Sequence, residues 1–584
     1  MTTMRVWAPL AGSVSVDLGG DRHPMSRADG GWWSADVPAE HGTDYAFLLD
    51  DDATPLPDPR SRWQPHGVHG ASRAYDHGRF PWTDASWRGR QLAGSVLYEL
   101  HVGTFTPGGT LDSAVERLDH LVALGVDVVE LMPVGAFPGV AGWGYDGVHP
   151  FAVHEPYGGP DALKRLVDAC HARGLAVCLD VVHNHLGPSG NYLPRFGPYF
   201  SDKHHTPWGQ GVNLDDEGAP EVRRWVVDNA LTWLRDYHVD ALRLDAVHAL
   251  ADDSPVHLLA ELSREVDALS AHVGRPLSLV AESDLNQPRT VTPVEGGGLG
   301  MTGQWCDDVH HALHTLLTGE DQGYYADFAE DPFAALATTL TGAFFHDGRH
   351  SSFRDAPWGA PVDRSTVPGW RFLGYLQTHD QVGNRAVGDR IGQGITDGLA
   401  RVGAALVLTS PFTPMLFMGE EWGASTPWQY FTSHEEEELA TAVREGRRRE
   451  FEAHGWAAED VPDPQAPATV RASTLDWAEV ATGPHAAMLS WYTALLALRR
   501  AEPDLSDPRL DRVRVTYDAA ARWVVVTRGC LRVVCNLAAA RQAVPVDAPV
   551  LDVLLDSTGG LALPSGPAVD APAESVAVVR VAGS

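Results

Sequence analysis

From Gly94 onward the chain repeats one pattern: a short apolar run that ends in polar residues, then an amphipathic stretch that stops on glycine. SVLYELHV, VDVVELMPV and LAVCLDVV read as strands, and TLDSAVERLDHLVALG and DALKRLVDACHARG read as the helices between them, with Thr110 placed to cap the first and Gly125 to stop it. The runs DALRLDAV, PLSLVAES, TGQWCDD, RFLGYLQTHD and PMLFMGEE continue the series to eight. Strands this apolar are buried on both faces, as in a parallel sheet covered by helices. Eight βα units close into a barrel, so the pattern predicts an α/β fold of the (β/α)₈ TIM-barrel type. An open doubly wound sheet is the alternative, but no GxGxxG opens its first turn.

At 584 residues the chain is too long for one core. Residues 1–90 carry MRVWAP, SVSVDL, GWWSADV and YAFLL between turn residues and are expected to form an N-terminal β-sandwich of immunoglobulin-like, carbohydrate-binding-module-like type. The segment TPLPDPRSRWQPHGVHG reads as a rigid linker. The barrel is expected over 91–503, with an irregular lid insertion at about 186–220, and a C-terminal β-domain over 504–584.

A net charge of −33 sets the class of partner: so acidic a surface repels nucleic acid and anionic membranes, leaving a neutral or cationic substrate. Nineteen Trp is high; most belong to cores, but sugar rings also stack on aromatic faces. The five cysteines are scattered without CxxC spacing and read as free thiols. The N-terminus has no basic start followed by an apolar run, and no apolar stretch could span a bilayer, so a cytoplasmic protein is expected.

In a (β/α)₈ barrel the chemistry sits at the C-terminal ends of the strands. There the sequence places Asp180, His183, Asn184 and His185 after the third strand, Arg243 and Asp245 on the fourth, Glu282 after the fifth, and His379 and Asp380 after the seventh. Any one of these is more simply a cap or a structural group. Together, ionisable groups converging on one rim are costly unless they work jointly. Arg243 and Asp245 are two apart, so they point to the same side, and the guanidinium is expected to keep Asp245 ionised. Glu282, facing carboxylates, is expected to keep its proton. One ionised and one protonated carboxyl are what retaining glycoside hydrolysis requires, with Asp380 able to favour the oxocarbenium-like transition state.

DVVHNH (180–185), ALRLDAV (241–247), VAES (280–283) and LQTHD (376–380) resemble, in order, the four signature segments of the α-amylase superfamily, and MPVGAFPG (132–139) is similar to its fifth. The resemblance implies Asp245 as nucleophile, Glu282 as general acid/base and Asp380 as transition-state stabiliser. It implies substrate contacts from Trp143, Tyr145, Asp146, His185, Arg243, His248 and His379. Within the superfamily, PDPRSRWQPHGVHG, DAVHALADDSPVHLLAEL, AESDLNQPRTV, QWCDDVHHALH, GYYADF, HDQVGNR and YFTSHE are similar to the malto-oligosyltrehalose trehalohydrolase family. That implies a maltooligosyl-trehalose substrate, cut at the α-1,4 bond beside its terminal trehalose, and a maltooligosyl-trehalose synthase as pathway partner. Two positions depart from the wider superfamily. Thr378 stands where many relatives have Asn, and His248–Ala249 stand where typical α-amylases have Lys–His, which removes a residue that helps hold calcium. No EF-hand-type loop is present, so neither a metal nor another cofactor is expected.

The alternatives are a glucan branching enzyme or a general α-amylase-type hydrolase, and a non-catalytic glucan-binding protein. Branching enzymes usually have an aromatic-rich segment where this chain has DAVHALADDSPVHL. Non-catalytic relatives typically lose one of the three carboxylates, and all three are here.

Overall fold

A computed structural model of the chain describes residues 2–452, 457, 460–564 and 566–582. Eight strands close into a parallel barrel: β1 (Leu97–Leu100), β2 (Val128–Leu131), β3 (Ala176–Val181), β4 (Ala241–Leu244), β5 (Ser278–Ala281), β6 (Gly303–Trp305), β7 (Phe372–Tyr375) and β8 (Thr413–Phe417). They follow one another around the ring in chain order, and β8 pairs with β1 to close it. These are the eight runs read from the sequence.

The helices that cover the barrel are α1 (Leu118–Leu124), α2 (Gly159–Ala172), α3 (Ala219–Asp236), α4 (Leu258–Val273), α5 (Asp307–Thr318), α6 (Asp397–Leu408) and α7 (Gly483–Ala501). In α3, Val222, Val226, Ala230 and Trp233 are buried at helical spacing along one face, and Trp225 beside them turns to Pro59, N-terminal to the barrel. The stretch expected as one helix from Thr110 is two. Thr110 does cap it, accepting from Ser113 N at 3.2 Å, but helix breaks after Val115, and α1 resumes at Leu118 and ends on Gly125 at φ 105°. Between β5 and β6 the chain makes only two single 3₁₀ turns, Pro288–Thr290 and Val294–Gly296.

Inside the barrel, polarity is graded along each strand. Leu97, Val128, Ala176, Cys178, Ala241, Val280, Leu373, Tyr375 and Met415 form an apolar cluster. Two residues further along, on the same side of their strands, stand Glu99, Glu130, Asp180, Arg243 and Glu282. The interior is therefore a packed floor beneath a charged rim.

The N-terminal strands form two small antiparallel sheets, one of Thr2–Trp7, Trp32–Val37 and Ser26–Arg27, the other of Asp21–Pro24, Val14–Leu18, Asp44–Leu49 and Ser72–Arg73. The expected linker is a packed strap rather than a spacer. Leu56 bridges Phe47, Trp225 of α3 donates its Nε1 to Pro59 O at 3.0 Å, and Trp63 donates to Glu155 at 2.8 Å. Pro-rich backbone has few N–H groups to satisfy, so it can lie along the barrel and be held by side chains. The segment expected to be irregular after β3 carries a hairpin, Phe200–Thr206 against Gly209–Val212. At the other end a five-stranded antiparallel sheet contains Arg514–Asp518, Trp523–Arg528, Leu531–Asn536, Ser575–Val581 and Val550–Asp556. All five cysteines are free thiols, four of them buried. No helix among the described residues is long and apolar enough to cross a membrane.

Candidate active site

Arg243, fully buried on β4, is the hub of the rim. Its Nη1 donates to Asp180 at 2.7 Å and to Asp245 at 2.8 Å, and its Nη2 lies 3.0 Å from Glu282. The guanidinium also lies 4.4 Å from the Trp305 ring centre. Three carboxylates thus share one cation that burial alone would make costly.

Asp245 is held at both oxygens. Oδ1 accepts from Arg243, and Oδ2 accepts from Asn184 Nδ2 at 2.7 Å. The next residue, Ala246, sits in the left-handed region at φ 39°, a backbone conformation that residues other than glycine rarely adopt. That turn aims the Ala246 N–H at Glu282 Oε2, 2.6 Å away. Burial pushes the Glu282 carboxyl up to about 8; Arg243 works against this, and the charges of Asp245 and Asp380 add to it. Glu282 therefore holds its proton at neutral pH.

A second chain of polar contacts runs across the rim. Glu99 of β1, fully buried, takes His379 Nδ1 at 2.5 Å and its backbone N–H at 3.0 Å. Although burial opposes it, Glu99 and Asp380 raise His379 to about 9, so the ring is an imidazolium. It donates through Nε2 to the Tyr145 hydroxyl at 2.9 Å, and Tyr145 donates to Asp180 at 2.6 Å. Gly144, at φ 103°, makes this possible: a Cβ there would lie 2.3 Å from the Pro133 carbonyl. Asp380 follows His379 at the start of a short helix, with Oδ1 3.5 Å from His379 Nε2 and a side chain 38% exposed to the cleft.

The other expected contact residues are more dispersed. The nitrogens of His185 are taken by Asn184 Oδ1 and Tyr145 O, and its ring stacks on Trp208, at the tip of the hairpin, with centres 4.5 Å apart. Asp146 lies 3.8 Å from His434. His248 is exposed, 3.7 Å from Asp284. Trp143, expected at a sugar, is buried instead. Its N–H goes to Gln429 O at 3.0 Å, it stacks on Trp428, and its edge supports His379 from behind. Its N–H is thus bonded, one face is covered, and the residue is 6% exposed.

Four residues of the site escaped sequence reasoning in their roles: Glu99, Glu130, Trp208 and Trp305. The glutamates carried a signal, as lone acids at inward positions of apolar strands. Trp305 carried one too, as the last residue of the sixth strand; Trp208 did not, because tertiary folding alone brings it to the rim. Among the described residues, one group of metal-ligand types converges, His204, Asp215 and Asp253; there the Lys203 ammonium sits 2.8 Å from Asp215 and 3.5 Å from Asp253 and supplies the positive charge itself.

Comparison with known proteins adds independent findings. The family described as "Alpha amylase, catalytic domain" matches residues 72–203, and a domain of unknown function matches 508–578. A malto-oligosyltrehalose trehalohydrolase from Mycobacterium tuberculosis is 54% identical over 94% of this chain and 94% of its own length. One from Rhizobium sp. is 52% identical over 98% and 97%, and one from Saccharolobus solfataricus is 40% identical over 91% and 90%. Among solved structures, a Salmonella typhimurium protein described as an alpha amylase superposes with a TM-score of 0.91 at 37% identity, covering 99% of this chain and 97% of its own.

Proposed function

The chain belongs to the malto-oligosyltrehalose trehalohydrolase family of the α-amylase superfamily, and from that premise we propose that it cleaves the α-1,4-glucosidic bond beside the terminal trehalose of a maltooligosyl-trehalose. Trehalose and a maltooligosaccharide are released. It is an enzyme, a glycoside hydrolase acting on an oligosaccharide. The observation that carries the mechanism is the pairing of Asp245 and Glu282 on opposite nitrogens of the Arg243 guanidinium. That spacing supports a double displacement, which needs two carboxyl groups close together.

In this reading Glu282 gives its proton to the glycosidic oxygen while Asp245 attacks the anomeric carbon. The bond to the trehalose leaving group breaks and a glycosyl ester on Asp245 forms. Glu282, now ionised, takes a proton from water, whose oxygen displaces Asp245 and restores both groups. Asp380 contributes negative charge beside the sugar ring as positive charge develops there. Tyr145, stacked on His379, presents a ring wall to the same sugar.

The carboxylates act on any α-glucosidic bond set between them, so preference for trehalose must lie on the leaving-group side. A pocket built to hydrogen-bond the hydroxyls of an α,α-1,1-linked disaccharide leaves polar groups unpaired when maltose binds, at about 1–3 kcal/mol for each. A few such contacts give a preference of about a hundredfold. A maltooligosyl-trehalose synthase is the natural source of the substrate. The test is kcat/KM on maltopentaosyl-trehalose against a maltooligosaccharide of equal length, with chromatography of the disaccharide released. Trehalose and a strong preference are expected. Equal rates, or maltose in place of trehalose, would return the protein to general α-amylase chemistry.

A further inference from the structure

Hydrolysis of a neutral glucan makes no use of positive charge away from the catalytic rim, yet five arginines line one cleft that shares no residue with that rim. The cleft, of about 420 Å³, lies where the strand Thr2–Trp7, at the edge of its sheet, the strap and α3 meet, and Arg5, Arg60, Arg62, Arg73 and Arg224 surround it. In a chain of net charge −33, with only 44 Lys and Arg in all, this is a local reversal of sign.

Three of the five are committed to structure. Arg60 donates to Asp228 at 2.7 Å, Arg224 pairs with the same carboxylate, and Arg73 holds Asp44 at 2.6 Å. The other two are not. Among the described residues, the exposed side chains of Arg5 and Arg62 have neither an ion pair nor a hydrogen bond; the Arg5 guanidinium only rests 4.9 Å from the centre of the Trp32 ring. Two carboxylates line the cleft against five guanidinium groups, and one of these, Asp58, is buried and shares its Oδ2 with the Tyr45 hydroxyl at 2.7 Å.

We propose that this cleft binds the phosphate group of a small phosphorylated sugar, with Arg5 and Arg62 as its free donors. Guanidinium forks match a phosphate's oxygens in pairs, and a volume of this size suits a small molecule. A long polyanion is disfavoured by the acidic surface around the cleft. The site is independent of which glucan the barrel cleaves.

The test is calorimetric titration of the full chain, without glucan, using sodium phosphate in one arm and glucose 6-phosphate in the other. Saturable binding with Kd below about 1 mM is expected. Arg62→Gln and Arg5→Gln should each weaken it about tenfold, and Arg62→Lys less, because it keeps the charge and loses the fork. Arg88→Gln, an exposed arginine outside the cleft, should change nothing. Tighter binding of glucose 6-phosphate assigns a sugar phosphate, whereas equal binding of the two reduces the site to a phosphate site. Both Arg5 and Arg62 are solvent-exposed, so the variants are expected to fold and to hydrolyse glucan at the parental rate. No saturable heat with either ligand, or binding that survives Arg5→Gln and Arg62→Gln unchanged, would overturn the proposal.

Discussion

Tyr145 and His379 are joined twice: their rings stack with centres 5.2 Å apart, and the tyrosine hydroxyl accepts from the imidazolium at 2.9 Å while donating onward to Asp180. Tyr145→Phe keeps the first link and cuts the second. The expected result is a fall in kcat of about tenfold, from loss of hydrogen bonds to charged groups, with little change in KM. Steady-state kinetics beside the parent decides it; an unchanged kcat would leave the hydroxyl without a part in the reaction.

The alkaline limb of activity should belong to Glu282 and His379. A carboxyl raised to about 8 holds its proton below that pH and loses it above, and the imidazolium loses its charge through about 9. The value of kcat/KM is therefore expected to fall about tenfold per unit above pH 8, and more steeply beyond 9. A profile flat to pH 10 would remove Glu282 as the acid.

Asp245→Ala and Arg243→Leu should fail for different reasons. Removing Asp245 is expected to lower kcat by orders of magnitude and to cost only about 1–3 kcal/mol, because Arg243 keeps Asp180 while Asn184 loses its partner. Removing Arg243 leaves Asp180, Asp245 and Glu282 without their shared cation, at about 3–5 kcal/mol of stability. Calorimetry on both variants separates them.

Double displacement returns the starting anomeric configuration. Proton NMR of the first reducing sugar formed should show the α-anomer ahead of mutarotation; an initial β-anomer would exclude a covalent intermediate.

Glu130 is fully buried, and neither of its carboxyl oxygens has a hydrogen-bond partner. Burial, with Glu99 and Asp180 nearby, holds its pKa well above the ordinary carboxylate range. The folded protein then keeps a proton that the unfolded chain gives up above about pH 4.3, so this residue lowers stability as pH rises. Glu130→Gln is expected to raise the thermal midpoint by a margin that widens between pH 5 and 8. A margin independent of pH would mean that Glu130 is ionised when folded.

The barrel was legible because its signals are local. Apolar strand runs and glycine stops sit next to each other in sequence; seven of the eight strands fall within the runs read from it, and the eighth begins one residue before its run, at Thr413. The carboxylates were legible because strand ends mark the active face. The burial of Trp143 was not legible, because an aromatic in a motif carries no mark of which side it faces; only folding shows that Gly383 leaves room for its ring. The hairpin at Phe200–Thr206 was hidden because a short strand rich in Lys, His and Asp has no apolar face to announce it. Glu99 was hidden because its partner, His379, lies 280 residues away.

The strap from the N-terminal sheets to the barrel sets how the molecule comes apart. Trp225 to Pro59, Arg60 to Asp228 and Trp63 to Glu155 bind the two regions, the first through a buried indole and the other two through half-buried side chains. Peeling the sheets away would expose Trp225, one of the largest fully buried side chains of the chain. The two regions are therefore expected to melt as one cooperative unit, and a protease that cuts within the strap should leave fragments that stay together until denaturant is added.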